Sequence, residues 1–468
     1  MIKRLFHRMG IDRAVFLTLF SRGWVVLSGL VSIYFVGRFL TPAEQGYYYT
    51  FNSLIALQIF VELGLNYAII QFASHEMAHL TWQTNYTING SPLAKRRLQS
   101  LLQFSLVWFG VAAALMIAVL LPIGLVFFHQ NNASQEVPNN VTVAWTLLVI
   151  FAALNLLLTS TVALLEGCGH VAQVAGLRLR QAVITGISIW LILSMQGGLF
   201  ALSASSAAST LVVSAWLWKR YRAFLKDLLC HPTDLPPMNW RKEIWPFHWR
   251  IAVSWMSGYF ITQLFNPLIF HFSGPVAAGQ MGMSLQVIGA INATALAWIS
   301  TKAPSYGQLV ARKKEIELDQ AFKRDLLQSS VFLLVCFLGF LISLLILGKY
   351  FPNVTNRLLP YKLLLLMAIT GALSHITSAE AVYLRAHKEE PFFILSIIHG
   401  ATILSSSFAL IPTMGLPGAV YAQIIAIIGV TFIGGNYIYL KRRNSFFSVE
   451  GCSQNQKNRI SQKNIESH

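Results

Sequence analysis

Two groups of residues in this 468-residue chain have types and spacing suited to chemistry. The first is His75-Glu76-x-x-His79: two imidazoles one helical turn apart, with a carboxylate between them, match a zinc site with its general base. A catalytic zinc needs a third protein ligand, and Leu80 to Ser100 contains no Asp, Glu, His or Cys. Trp82 stands where the extended zinc-protease motif requires Gly. An intramembrane zinc metalloprotease is therefore only a distant alternative, and no metal or other cofactor is expected.

The second group is charged and polar side chains inside long apolar runs. Arg22 and Glu62 each lie roughly nine or ten residues from the end of their run, about 13 to 15 Å deep at 1.5 Å per residue. They could pair with one another, and a paired Arg could still offer its remaining donors to a phosphate. Gln58, Glu62 and Asn66 recur every fourth residue, which places them on one line of a helix. In the second half of the chain Arg250, Ser254, Ser257 and Gly258 share a face, and so do Gly282, Gln286, Gly289 and Ala293.

Polar groups in a bilayer turn toward a bundle interior or a water-filled cavity. Arg22, Gln58, Glu62, Asn66, Arg250, Ser254 and Gln286 are accordingly the expected substrate-binding residues. The competing explanation is tight helix packing for the small residues and snorkelling for Arg250. Glu380, His375 and His399 are further candidates, as proton-linked groups, although Glu380 is also close in sequence to Arg385 and could pair with it at an interface.

The elements that must position these residues are membrane helices. The chain is 55% hydrophobic and 11% charged, less than half the charge of an ordinary soluble protein. Twelve apolar runs are long enough to span a bilayer: 14–36, 47–72, 101–128, 141–165, 182–195, 198–218, 251–270, 277–299, 329–347, 363–384, 392–412 and 415–439. The fifth is short unless it extends back over Arg178 and Arg180. Between spans one and two, and again between seven and eight, the chain reads F-x-x-P-x-x-x-G: Phe39, Pro42, Gly46, then Phe272, Pro275, Gly279. The duplication predicts two parallel six-helix repeats, with Pro42, Gly46, Pro275 and Gly279 as the repeat motif.

Orientation follows from the basic residues. With the N-terminus inside, only Arg38, Lys349, Arg357 and Lys362 of the 35 Lys and Arg fall on the outer side, and Arg22 falls within a span. The positive-inside rule thus accounts for the net charge of +17 without nucleic acid. Both termini are expected in the cytoplasm. The expected organisation is a first six-helix half at 1–218, a cytoplasmic linker at 219–249, a second half at 250–440 and a polar cytoplasmic tail at 441–468. The four cysteines show no metal-binding spacing, and no disulfide framework is expected.

The stretch Ser21 to Leu65, above all Leu40-Thr-Pro-x-Glu-Gln-Gly-Tyr-Tyr-Tyr49, resembles the Wzx-type O-antigen and polysaccharide flippases of the multidrug/oligosaccharidyl-lipid/polysaccharide exporter superfamily. The similarity continues through Gln71 to Leu80 and loosens beyond. The resemblance implies an all-α integral membrane protein of about twelve transmembrane helices, with two bundles forming a V-shaped transporter. It implies movement of undecaprenyl-pyrophosphate-linked oligosaccharide across the bacterial inner membrane, between the cytoplasmic and periplasmic leaflets, by alternating access. Partners implied with it are membrane lipid and the polysaccharide polymerase and chain-length proteins of the same process.

A multidrug or other small-molecule exporter of that superfamily is the alternative. No Asp occurs in any of the twelve runs, and Arg22 occupies the first span, which favours an anionic substrate. No phosphate-binding loop of the Gly-x-x-x-x-Gly-Lys-Ser/Thr type occurs, so ATP hydrolysis by that motif is not expected. Nor is the chain expected to be an enzyme.

Overall fold

The computed structural model describes residues 13–83, 86–130, 140–230, 236–350, 352–387 and 391–446. The side chains of Arg22, Arg250 and Ser254 lie outside the described residues, as do most of the loop after residue 130 and of the polar tail. Apart from one hairpin, the regular structure described is helical. Helix α1 covers Arg13–Phe39 and α2 Pro42–Ile55; a 3-10 turn, Ala56–Gln58, and one α turn, Ile59–Glu62, lead to α3, Leu65–Met77. The hairpin pairs β1, Leu80–Trp82, antiparallel to β2, Ile88–Gly90, with Thr81 opposite Asn89. Next come α4 Pro92–Gln130, α5 Val141–Gly167, α6 Val171–Ser194, α7 Phe200–Cys230, α8 Trp245–Thr262 and α9 Phe265–Ser300. The short α10, Ala303–Ala311, precedes α11 Glu315–Tyr350, α12 Tyr361–Ala386, α13 Phe393–Met414 and α14 Leu416–Ala426.

Among the described residues nine helical segments are long and apolar enough to cross a membrane, or ten if the bent pair Pro42–Glu62 and Leu65–Met77 is one span. One of the nine, Trp255–Ala311, contains the break between α8 and α9 and so holds two of the spans read from the sequence. Helix α1 supplies the apolar segment Gly23–Phe39. The fifth span does extend back over Arg178 and Arg180, as α6.

Local chemistry explains the joints. Thr41 caps α2 through a reciprocal capping box: its Oγ1 accepts from the Glu44 N–H at 3.2 Å, and its own N–H donates to Glu44 Oε2 at 2.8 Å. Pro42 fills the first turn, where its missing N–H is not needed. In the second copy, Gly274 takes φ 85°, ψ 172° inside α9, a backbone state open to Gly, and Pro275 restarts the helix.

The chain packs as two compact units, Met1–Met283 and Ser284–His468. The boundary falls inside α9, beyond the 219–249 linker, because α8 and the start of α9 pack on the first unit: Phe60 meets Tyr259 and Phe260, and Gly46 and Tyr49 meet Pro275, Gly279 and Gly282. Within the first unit α1 lies along α6, where Trp24 Nε1 donates to the Ala182 carbonyl and Trp190 Nε1 to Ser32 Oγ. The hairpin is fixed by Trp82, whose Nε1 donates to the Cys168 carbonyl at 2.8 Å.

In the second unit, Tyr306, Phe322, Tyr383 and Tyr439 form an aromatic core at the end bearing α10. Asp325 is buried there and satisfied by Lys302 at 2.5 Å and the Tyr306 hydroxyl at 2.8 Å. Asp319 receives a two-pronged contact from Arg443 at 2.5 and 2.8 Å. Helix α14 continues through a π turn, Ile427–Phe432, which brings Thr431 against His399.

Candidate functional site

The first unit contains a cavity of about 150 Å³, with both polar and apolar walls, beside the bend in the second span. Its polar lining comes from Asn66 on α3, Thr159 on α5, and Arg178 and Gln181 on α6; Ile70, Val162 and Val213 supply apolar wall. The bend has a local cause. Leu63 and Gly64 both take left-handed backbone conformations, φ 53° and 69°, and α3 leaves at 44° to the helix before it. Such a conformation is strained for Leu and natural for Gly. Trp108 Nε1 donates to the Val61 carbonyl at 3.1 Å, satisfying an acceptor that the break leaves without a helical donor.

The break changes the line expected for Gln58, Glu62 and Asn66. They do not lie on one continuous helix: Gln58 sits in the 3-10 turn, and the left-handed pair separates Glu62 from Asn66. Glu62 and Asn66 nevertheless meet, with Asn66 Nδ2 donating to Glu62 Oε1 at 2.8 Å. Asn66 Nδ2 also lies 3.4 Å from Thr159 Oγ1, while Asn66 Oδ1 is buried with no hydrogen-bond partner. A buried acceptor in that state is a place for a donor from water or ligand.

Two contributors were not among the residues singled out from the sequence. Arg178 makes a two-pronged ion pair with Glu166, at 2.6 and 3.1 Å, and its side chain is 53% exposed. Gln181 Nε2 donates to Ser209 Oγ at 3.1 Å. The signal for both was the three-residue spacing of Arg178 and Gln181, which places them on one face of a helix. Chemically, the wall combines donors and acceptors from amide and hydroxyl groups with a guanidinium whose charge Glu166 already balances. That arrangement suits a ligand rich in hydroxyl groups more than a bare ion.

Gln286 is half-buried on the part of α9 in the second unit. Arg22 and Arg250 lie on α1 and α8 and Ser254 on α8, with side chains outside the described residues. Also in the second unit, His375 Nε2 lies 3.0 Å from Ser329 Oγ, and the Glu380 Oε2 is buried without a partner.

His75 and His79 are exposed, and His79 falls beyond the end of α3 at Met77. Glu76 is buried and accepts from Arg97 Nε at 2.7 Å, an ion pair and not a general base beside a metal. Among the described residues no group of three or more His, Cys, Asp or Glu is placed to hold a metal.

No protein-family model matches the sequence, and no curated protein matches it. Solved structures do match over nearly the whole chain. A multidrug resistance MATE family transporter of the MOP superfamily, in an inward-facing conformation, aligns with TM-score 0.61 and 13% identity over 92% of this chain and 95% of its own. The MATE multidrug transporter DinF-BH, solved with a bound ligand, gives 0.57 and 15% over 93% and 96%. The lipid II flippase MurJ, in an inward closed conformation, gives 0.56 and 12% over 94% and 91%. The chain is thus a multi-pass membrane protein with the predominantly helical fold shared by the MATE family transporters and the lipid II flippase MurJ.

Proposed function

We propose that the chain is a flippase that carries undecaprenyl-pyrophosphate-linked oligosaccharide, an O-antigen or related repeat unit, across a bacterial inner membrane by alternating access. The observation that carries this reading is the cavity of Asn66, Thr159, Gln181 and charge-balanced Arg178. Neutral polyhydroxyl groups exchange hydrogen bonds with such a wall at little desolvation cost. Asn66 Oδ1 supplies an unused acceptor for a sugar hydroxyl. The lipid II flippase shares the fold, which agrees with a lipid-linked substrate.

In this reading the segment carrying Lys95, Arg96 and Arg97 in the first unit and the segments carrying Lys302 and Arg443 in the second face the cytoplasm, as do both termini. Residues 1–218 and 250–440 are the two six-helix halves, joined by 219–249 and followed by the tail 441–468. Arg22 with Arg250 supplies positive charge for the pyrophosphate, and Gln58, Glu62, Asn66, Ser254 and Gln286 contact the sugars. Pro42, Gly46, Pro275 and Gly279 hold the repeat joints.

Multidrug export is the second reading, favoured by the alignment with the MATE transporters. Reconstituted proteoliposomes separate the two. Movement of undecaprenyl-pyrophosphate oligosaccharide without efflux of a cationic dye is the expected result, and dye efflux without lipid-linked sugar movement would sink the flippase reading. In a flippase-null strain, normal surface polysaccharide with Arg22→Ala at normal abundance would remove Arg22 from the mechanism.

A further inference from the structure

The segment that leads from α7 into α8 is docked along one face of α4. Met238 N–H donates to Ser100 Oγ at 3.0 Å. Trp240 stacks on Phe104 with ring centroids 3.4 Å apart and planes at 21°. Glu243, in the π turn Trp240–Ile244, accepts from Arg97 Nη2 at 2.5 Å and from the Asn239 N–H at 2.9 Å. Residues 97, 100 and 104 of α4 recur at helical spacing, so this segment lies across a single stripe.

The same stripe continues to the bend in the second span. Phe104 stacks on Trp108 at 5.9 Å and 24°, and Trp108 Nε1 holds the Val61 carbonyl beside Leu63 and Gly64. Contacts thus run without a gap from the docked segment to the hinge beside the cavity.

We propose that residues 238–244 are a releasable strap, locked by Arg97–Glu243, whose docking holds the Trp240–Phe104–Trp108 stack and thereby the bend at Leu63–Gly64. Three features make the lock reversible. Arg97 also binds Glu76, so losing Glu243 does not strand an unpaired guanidinium. Glu243 is partly exposed and returns to water when released. Trp240 Nε1 is buried with no partner while docked, a donor that regains hydrogen bonds on leaving. The bend is the two-state element: a left-handed Leu costs energy that a straightened helix recovers. The inference does not depend on which substrate is carried.

Hydrogen exchange on the full-length chain in nanodiscs tests it, comparing peptides covering 238–244 and 59–67. Glu243→Gln is expected to raise exchange at 238–244 and to lower it at 59–67, where straightening gives the N–H groups after Leu63 helical acceptors, each by roughly fivefold or more, the lower end typical of coupled sites. Faster exchange at 238–244 alone overturns the coupling, and no change at either overturns the lock. Trp108→Phe keeps a ring in the stack but removes the N–H, and it approaches the question from the other end. It is expected to slow exchange at 59–67; unchanged exchange there overturns the part assigned to the indole.

Discussion

Gly46 and Gly279, the final residues of the two copies of F-x-x-P-x-x-x-G, touch one another where α2 crosses α9. A Cβ on Gly46 would lie 1.8 Å from the Pro275 carbonyl oxygen, and one on Gly279 would lie 2.9 Å from the Gly46 nitrogen. Gln45 Nε2 donates to the Gly279 carbonyl at 2.8 Å across the crossing. Close backbone approach through small residues is how membrane helices gain packing and interhelical hydrogen bonds. Gly46→Ala must push backbone against backbone and is expected to cost about 1–3 kcal/mol or more, as overpacked cores do. Gly279→Ala is expected to cost less. Thermal unfolding in detergent checks both, and equal Tm values for Gly46→Ala and the parent would contradict the crossing.

Gly64→Ala tests the bend. A left-handed backbone penalises a Cβ by roughly 1–2 kcal/mol, so this change is expected to lower Tm or to straighten the span. A lower stability speeds hydrogen exchange around Leu63, whose N–H is bonded to the Ile59 carbonyl, whereas a straightened span slows it just after Leu63. A variant with the parent's Tm and exchange would remove Gly64 from the hinge.

Charge balance beside the cavity sets opposite expectations for Arg178 and its partner Glu166. Arg178→Ala leaves the mostly buried Glu166 as an uncompensated carboxylate, which disfavours an anionic or polyhydroxyl ligand and favours a cation. Transport of lipid-linked sugar is expected to fall severalfold, at unchanged abundance, and weak dye efflux to appear. Glu166→Gln frees Arg178 and is expected to leave dye efflux absent. Identical transport profiles in the two variants would mean that the pair is structural only.

The strap is expected to respond to acid and not to changes around neutral pH. Burial alone would raise the Glu243 carboxyl, but the hydrogen bonds from Arg97 and from the Asn239 N–H outweigh it and hold it below its ordinary value of 4.5. Its stabilisation is therefore complete above that ordinary value and is lost as pH falls through the lower value it has when docked. Trp240 fluorescence, in a variant lacking nearby reporter tryptophans, should stay flat at neutral pH and change only in acid. A transition centred near neutrality would argue against Glu243 as the lock.

Much of the scaffold is legible in the sequence because bilayer spans need long apolar runs and their joints need Pro and Gly. Leu40 to Gly46 is readable residue by residue as a capping box with Pro in the first turn. The bend at Leu63 is not, since nothing about a Leu announces a left-handed conformation that its neighbours impose. Arg178 was visible only as an obstacle to a fifth span, because Glu166, which balances it, lies across the turn between α5 and α6. Glu76 read as part of a zinc signature for a similar reason: its partner Arg97 lies beyond the hairpin, and Glu243 is far away in the chain.

The zinc reading yields a direct check. With Glu76 bonded to Arg97 and His79 beyond the end of α3, metal analysis of the purified chain is expected to find zinc well below one equivalent, and His75→Ala to leave transport intact. Stoichiometric zinc lost on His75→Ala would reverse that expectation.

The π turn at Ile427–Phe432 acts as a one-residue insertion within the last helix of the second unit. Each residue turns a helix by 100°, so winding these same residues as regular α-helix, without the wide turn, would rotate everything that follows by that angle. Tyr439 would swing away from Phe322 and Tyr383, and Arg443 away from the carboxylate of Asp319. The extra residue thus acts as a phase setting: it decides which stripe of the terminal helix meets the aromatic core.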